Sequence, residues 1–306
     1  MSKKIVFMGT PEFATETLRV LANSNHEIIC VYTQPPKKSF RGQKINSSAV
    51  QLEAEKLNLK IRTPTNLEDQ KEYEYFKSLN PYIVIVVAYG KIIPKNFLHL
   101  PEKGFINIHA SLLPNWRGAA PIQRSIMNSD KETGISIMQI QEGLDTGPYM
   151  KQIKTIIETQ DTATIIGKKL SKLGSENILE CIKKIDNSSA NFVVQNHKQA
   201  SYAKKIEKSE AKIIWNDSYK KILTKINALN PSPGAWFQFN DVRYKIWKAK
   251  NSEKTGKPGE LLDEKLTIAC GVKSIQVLEI QKEGKKKLLA EEFLIGSSIP
   301  KGSKVF

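Results

Sequence analysis

"YIVIVVAYGKIIP", residues 82–94, runs from Ile83 to Val87 without a polar residue and then stops at a glycine. A strand with one wet face alternates apolar and polar residues. This one does not, so both of its faces are meant to be covered, as in a parallel sheet with helices on either side. Working outward, "KKIVFMG" (3–9), "EIICVYT" (27–33) and "FINIHA" (105–110) are strands of the same kind. Between the first two, "TPEFATETLRVLA" (10–22) reads as a helix, with Thr10 as its N-cap and Pro11 at its first position. Phe13, Thr17, Val20 and Leu21 share its apolar face. Residues 45–57 and 66–79 also read as helices. Strands alternating with helices predict a doubly wound, mostly parallel α/β sheet. Ligands of such sheets sit at the carboxyl ends of the strands, where "MGTPEF", "YGKIIP" and "HASLLP" all fall.

The texture changes past residue 187. "DNSSANFVVQNHKQASYAKKIEKSEAKI" (186–213) is polar and has no period, which reads as a linker over 188–208 between domains at 1–187 and 209–306. "DSYKKILTKINALN" (217–230) then reads as a helix capped by Asp217. "VRYKIWKAK", "GELLD", "KLTIACG" and "SIQVLEIQK" follow as short strands separated by turn residues. They predict a small antiparallel β-barrel, of the kind that often binds oligonucleotides. No internal repeat is present.

The 306 residues are 40% apolar and 25% charged, a globular balance. No apolar run nears the roughly 20 residues that cross a bilayer, and "MSKKIVFMGT" enters a strand with no signal-peptide cleavage pattern. Cys30, Cys181 and Cys270 form no CxxC and suit a reducing cytoplasm. "HEIIC" (26–30) lacks the second histidine of the HExxH zinc motif, and there is no Walker-type loop or GxGxxG. No metal is therefore expected. Net charge is +16. That excess suits a polyanionic partner; a lysine-biased, solvated surface is the plainer alternative. Residues 201–306 carry 21 basic and 12 acidic side chains, against 26 and 19 in the first 200, so the second domain is the more densely charged.

Asn107 and His109 lie two apart in "INIHASLLPNWRGAAPIQ" (106–123), hence on one face of a strand. They are either two satisfied core polars or reacting groups. The loop that follows sets Trp116, Arg117 and Gly118 among restrictive prolines, an arrangement more constrained than a plain connection needs. Farther on, "QEGLDTGPYM" (141–150) brackets Asp145 with two glycines. Asp145 is either a turn-former or, if it reaches His109, the carboxylate that orients the imidazole.

"NIHASLLPNWRGAAPIQ", "GLDTG", "FMGTPEFA" and "VVAYGKIIP", in this order along nearly the whole chain, resemble the methionyl-tRNA formyltransferase family. The Asn-x-His-x-Ser-Leu-Leu-Pro core with a downstream Asp is similar to the wider class of enzymes using 10-formyltetrahydrofolate. The resemblance implies a Rossmann-like formyltransferase domain followed by an OB-like barrel. It implies transfer of a formyl group to the amine of methionine on initiator tRNA, with Asn107, His109 and Asp145 catalytic. Ser111, Leu112, Leu113 and Pro114 match the folate-binding stretch, with Tyr89, Gly90, Gly143 and Leu144 lining the pterin pocket. The basic loop "QPPKKSFRGQK" (34–44) matches the tRNA-contacting loop through Lys37, Lys38, Arg41 and Lys44. Arg243, Lys245, Lys248 and Lys250 are further candidates for tRNA, or else an ordinary solvated strand face. The expected enzyme is cytoplasmic and monomeric. Two alternatives stay open: a related formyltransferase acting on a sugar-nucleotide or purine-intermediate amine, and a non-catalytic RNA-binding protein on the same scaffold.

Overall fold

After β1 (Lys4–Gly9) and β2 (Glu27–Tyr32), a short hairpin of β3 (Lys37–Ser39) and β4 (Lys44–Asn46) precedes β5 (Ile61–Arg62), β6 (Ile83–Val87) and β7 (Phe105–His109). The two-residue β8 (Arg117–Gly118) leaves the sheet, and β9 (Glu132–Gln139) and β10 (Tyr149–Ile156) complete it. This computed structural model describes residues 1–39, 44–297 and 299–306. The sheet order is β10-β9-β7-β6-β1-β2-β5. The five strands β5-β2-β1-β6-β7 are mutually parallel, and β9 runs antiparallel to β7. From β1 the chain winds one way through β2 and β5, then returns to place β6 and β7 on the other side. The switch point is therefore between β1 and β6, where Thr10 Oγ1 donates to the Tyr89 carbonyl at 2.8 Å.

Every residue of β6 is buried, as its unbroken apolar run requires. Val6, Met8, Val84 and Val86 share a core with Phe76, Phe97 and Phe105. Within that core Glu72, 6% exposed, accepts from the Tyr32 hydroxyl at 2.8 Å and pairs with Arg62. The three cysteines are free and buried, and burial pushes the thiols of Cys30 and Cys181 up to about 11 and that of Cys270 up to about 12. At neutral pH they are inert packing groups.

Three helices start later than expected. Pro11 is extended and precedes a 3₁₀ turn at Glu12–Ala14, so the first α-helix begins only at Thr15. The Thr10 hydroxyl is spent on Tyr89 rather than on a cap. The helices expected at 45–57 and 66–79 form as Ala49–Lys56, capped by Ser48, and Gln70–Ser78, capped by Asp69.

The chain divides into two units: Met1–Pro121 with Thr133–Thr155 and Gly167–Ala203, and Ile122–Glu132 with Ile156–Ile166 and Lys204–Phe306. The segment read as a linker, 188–208, is thus split. Its first part, through β11 (Tyr202–Ala203), belongs to the first unit, where β11 pairs in parallel with β8. Gln195, His197 and Ser201 in it hydrogen-bond to Trp116, Arg117 and the Asp145 loop, contacts that leave no apolar period in the sequence.

In the second unit, β12 (Ala235–Phe239), β13 (Val242–Ser252), β14 (Thr267–Ala269), β15 (Ser274–Lys282) and β16 (Leu288–Leu289) form an antiparallel sheet of order β12-β13-β15-β14, with β16 on β15. Residues 303–306 join its ends. Leu261 bridges to Ile268 of β14 and donates its N–H to the Ser303 carbonyl at 2.9 Å. Gln238 of β12 exchanges backbone hydrogen bonds of 2.6 and 2.9 Å with Phe306. The barrel closes through this segment, over a core that includes Trp215, Phe237, Tyr244 and Phe293. The helix Tyr219–Ala228 packs on the same core, and Ser218, not Asp217, accepts the capping N–H of Lys221. Asp217 instead pairs with the Lys221 ammonium at 2.8 Å.

Asp263 in this unit carries a testable charge. Burial opposes its ionisation, but hydrogen bonds from Lys254, from Thr267 and from the Lys265 backbone outweigh it and hold the carboxyl at about 2. A folded-state value below the unfolded one adds stability above pH 4 that is lost as pH falls toward 2. Asp263→Asn is expected to remove roughly 1–2 kcal/mol at pH 7 and almost nothing at pH 2. Urea melts at the two pH values measure it; an equal loss at both would place the effect outside ionisation.

Candidate active site

β7 ends at the carboxyl edge of the parallel strands. Its alternation buries Phe105 and Ile106, leaves Asn107 half-buried, and buries His109 to 6% exposure. His109 Nε2 lies 3.0 Å from the Trp116 carbonyl oxygen. A carbonyl only accepts, so Nε2 carries a proton. The other ring nitrogen, Nδ1, faces Asp145 Oδ2 at 3.6 Å, in ion-pair range and beyond hydrogen-bond range. Both ring nitrogens therefore look toward acceptors, and a proton arriving at Nδ1 finds a carboxylate in front of it. Asp145 sits in the left-handed region at φ +50° and accepts the Gly118 N–H at 2.8 Å. Asn107 makes no side-chain hydrogen bond among the described residues, so its carboxamide is uncommitted beside this pair.

The loop after β7 is held from beneath. Ser111, fully buried, donates to the Asn115 carbonyl at 2.6 Å. Ser136 of β9 donates to the Ser111 carbonyl at 2.7 Å and accepts the Leu113 N–H at 3.0 Å. Gln152 of β10 donates to the Leu113 carbonyl at 2.8 Å. The side chains of Ser111 and Leu113 are buried, while those of Leu112 and Pro114 are half-buried. Gly143 and Leu144 are exposed on the loop that carries Asp145.

Tyr89 differs from the pocket-lining role expected of it. Its ring is 2% exposed and packs in the core with Val6 and Tyr32. Its carbonyl is taken by Thr10 and, at 3.0 Å, by Gln34 Nε2. A tyrosine at the end of an all-apolar strand continues the core as readily as it leaves it, so sequence alone does not separate the two. Gly90 keeps the loop site, at φ +77° and with its carbonyl also on Gln34. Through Gln34 the base of the basic loop is tied to this turn, and Lys37 Nζ completes the chain on Gln34 Oε1. Arg41 and the side chains of Lys38 and Lys44 lie outside the described residues.

Sequence reasoning missed the residues that hold the loop of Trp116 and Gly118 to the loop of Asp145. Gln195, 3% exposed, accepts from Arg117 Nε and Nη2 at 3.0 and 2.7 Å and donates to the carbonyls of Asp145 and Gly147. Ser201 Oγ accepts the Trp116 N–H at 2.9 Å. Both stand in the stretch read as a linker.

The formyl transferase family profile matches residues 3–182, and the profile of its C-terminal domain matches residues 205–298. A methionyl-tRNA formyltransferase of Pelagibacter ubique is 56% identical over all of this chain and 99% of its own length. The chain belongs to the methionyl-tRNA formyltransferase family. A second member, from Mesorhizobium japonicum, is 41% identical over 99% of both chains. Among solved structures, an N-formyltransferase from Helicobacter canadensis, in complex with folinic acid and dTDP-3-aminofucose, aligns with a TM-score of 0.68 at 20% identity, covering 92% of this chain and all of that one. At that identity it speaks for the formyltransferase fold alone. Among the described residues, no three His, Cys, Asp or Glu side chains gather as a metal site, and no helix is long and apolar enough to cross a membrane.

In this member of the methionyl-tRNA formyltransferases, Gly118 has backbone on its open side and little room for a side chain. It adopts φ +115°, and an added Cβ would stand 3.0 Å from the Ala203 carbonyl oxygen. Gly118→Ala is expected to shift the N–H that holds Asp145 and to lower kcat about 10-fold or more through misplacement of the carboxylate. Steady-state rates with a thermal melt check it; unchanged kcat in a folded variant would contradict the role given to this N–H.

Proposed function

We propose that Asn107, His109 and Asp145 perform the reaction of the family in this chain: transfer of a formyl group from 10-formyltetrahydrofolate to the α-amino group of methionine on initiator tRNA. The observation that carries it is the pairing of His109 with Asp145 at 3.6 Å at the carboxyl end of β7, beside the uncommitted carboxamide of Asn107. The donor supplies an electrophilic formyl carbon whose oxygen gains negative charge when the amine attacks. Asn107 offers an amide N–H to that oxygen. His109 Nδ1 is placed to hold the proton that the amine sheds while Asp145 balances the charge, and that proton goes to the folate nitrogen as its bond to the formyl carbon breaks and tetrahydrofolate leaves. Gly118 fixes the carboxylate and the Trp116 carbonyl fixes the ring, so neither reorganises as charge develops. Leu112, Pro114, Gly90, Gly143 and Leu144 remain the residues proposed to line the folate pocket. Ser111 and Leu113 shape it through the backbone.

The second substrate is a polyanion, for which the +16 net charge is suited. Lys37, Lys38, Arg41 and Lys44 are proposed to meet the acceptor end. In the second unit, register shifts around Trp247 and Lys248 of β13 matter. Counting by two would send Arg243 and Lys245 to one face and Lys248 and Lys250 to the other. The bulge resets the phase, so that Arg243, Lys248 and Lys250 are exposed while Tyr244, Ile246 and Ala249 face the core. Arg243 also lies over the Trp236 ring at 4.0 Å, and Lys245 over Trp247 at 5.4 Å. This basic and aromatic face supports tRNA contact. The reading further places the enzyme in the cytoplasm, and a monomer suffices because one chain carries all three catalytic groups.

The test is to incubate the protein with 10-formyltetrahydrofolate and methionine-charged initiator tRNA and to assay N-formylmethionine, with sugar-nucleotide amines as competing acceptors. Formylation of the small amines alone would defeat the assignment. In the same assay Arg41→Ala is expected to raise KM for tRNA about 10-fold and leave KM for the folate within two-fold, as for loss of one bidentate contact. An equal rise in both would show the basic loop acting on the folate pocket.

A further inference from the structure

Arg117 is 1% exposed, and among the described residues its guanidinium meets no carboxylate. Its partners are neutral: Gln195 Oε1, from Nε at 3.0 Å and Nη2 at 2.7 Å, and His197 Nδ1, from Nη2 at 3.2 Å. A buried cation is usually answered by an anion. Here a carboxamide answers it, and that choice needs a reason. The reason lies at the other end of the same amide. Gln195 Nε2 donates to the Asp145 carbonyl at 2.8 Å and to the Gly147 carbonyl at 2.6 Å. Only an amide accepts from Arg117 on one side and donates to two carbonyls on the other. A glutamate would satisfy the arginine and repel the loop.

The two loops joined in this way are those that set the catalytic pair. One carries Trp116, whose carbonyl holds His109, and Gly118, whose N–H holds the Asp145 carboxylate. The other carries Asp145 itself. Without Gln195, Asp145 would be tethered to the first loop by its carboxylate alone, with its backbone free to turn. We infer that Gln195 is a positioning residue for formyl transfer: it clamps the Asp145 backbone to Arg117 and so sets the distance between Asp145 and His109. The inference rests on the reading of that pair as catalytic. It gives the apparent linker a part in the chemistry through two loops it does not itself touch the substrate with.

Gln195→Glu is the discriminating variant, because it keeps an acceptor for the buried guanidinium and turns the two donated hydrogen bonds into contacts between acceptors. A cooperative melt with retained folate binding is expected. The turnover number should fall about 10- to 100-fold, with both KM values within about two-fold, as for a catalytic group displaced by a fraction of an ångström. The double variant Gln195→Glu with Asp145→Asn should be no slower than Asp145→Asn alone, since both act on one carboxylate. Multiplicative losses in the double variant, or a wild-type turnover number in the single one, would overturn the inference. A readout without substrate keeps it separate from the assignment of function: the ¹⁵N shifts of the His109 ring should move in Gln195→Glu. Unmoved shifts refute the clamp even if the wild type formylates tRNA, and moved shifts support it even if the acceptor proves to be another amine.

Discussion

Asn107→Ala is expected to lower kcat about 10²–10³-fold, the cost of one lost oxyanion donor. The loss should fall on kcat and not on KM for either substrate, because the charge that the amide answers exists only as the amine attacks. The strand gives the variant a fair trial. Asn107 is half-buried, and its backbone pairs with Val86 and Met138 on either side, so truncating the side chain leaves β7 in register. Among the described residues its amide holds no other group in place, so none of them is orphaned. Single-turnover formylation with saturating donor separates chemistry from product release. A rate within three-fold of wild type would remove Asn107 from the mechanism and leave the oxygen to a donor elsewhere on the loop.

His109→Ala should be at least as damaging, about 10²–10⁴-fold in kcat, the usual contribution of a positioned acid or base. Asp145→Asn is the sharper probe of the pair. The asparagine side chain still accepts the Gly118 N–H, so the loop keeps its anchor, but it no longer sets a charge before Nδ1. If the carboxylate acts through the imidazole, Asp145→Asn costs little in an enzyme that already lacks His109. Full losses from both changes in the double variant would mean that Asp145 meets the amine directly and that the ring does something else.

Much of the scaffold was legible because the sheet is built from extremes. A run such as Ile83–Val87 has no face to offer to water, and a doubly wound sheet follows from several such runs separated by helices. Asn107 and His109 stood out as polar residues in a strand otherwise apolar, and Asp145 as a carboxylate bracketed by glycines. What escaped was whatever depends on tertiary partners. Gln195 and Ser201 sit in a stretch with no apolar rhythm, since hydrogen bonds and not apolar packing hold them, and a pattern search sees only polarity. Tyr89 turned inward because its neighbours in space, Val6 and Tyr32, lie in other strands. Asp217 and Ser218 are equally good caps by type, and only the geometry at Lys221 chose the serine. The bulge in β13 is silent in composition, yet it decides which lysines stand together.

The six stretches of the two units alternate along the chain, at 1–121, 122–132, 133–155, 156–166, 167–203 and 204–306. The gene therefore has no single seam. A graft that exchanges the barrel of this enzyme for that of a relative by one crossover after residue 203 would carry 122–132 and 156–166 over from the wrong parent. A faithful swap needs three inserts moved together, and relatives are expected to have traded these halves rarely by simple recombination.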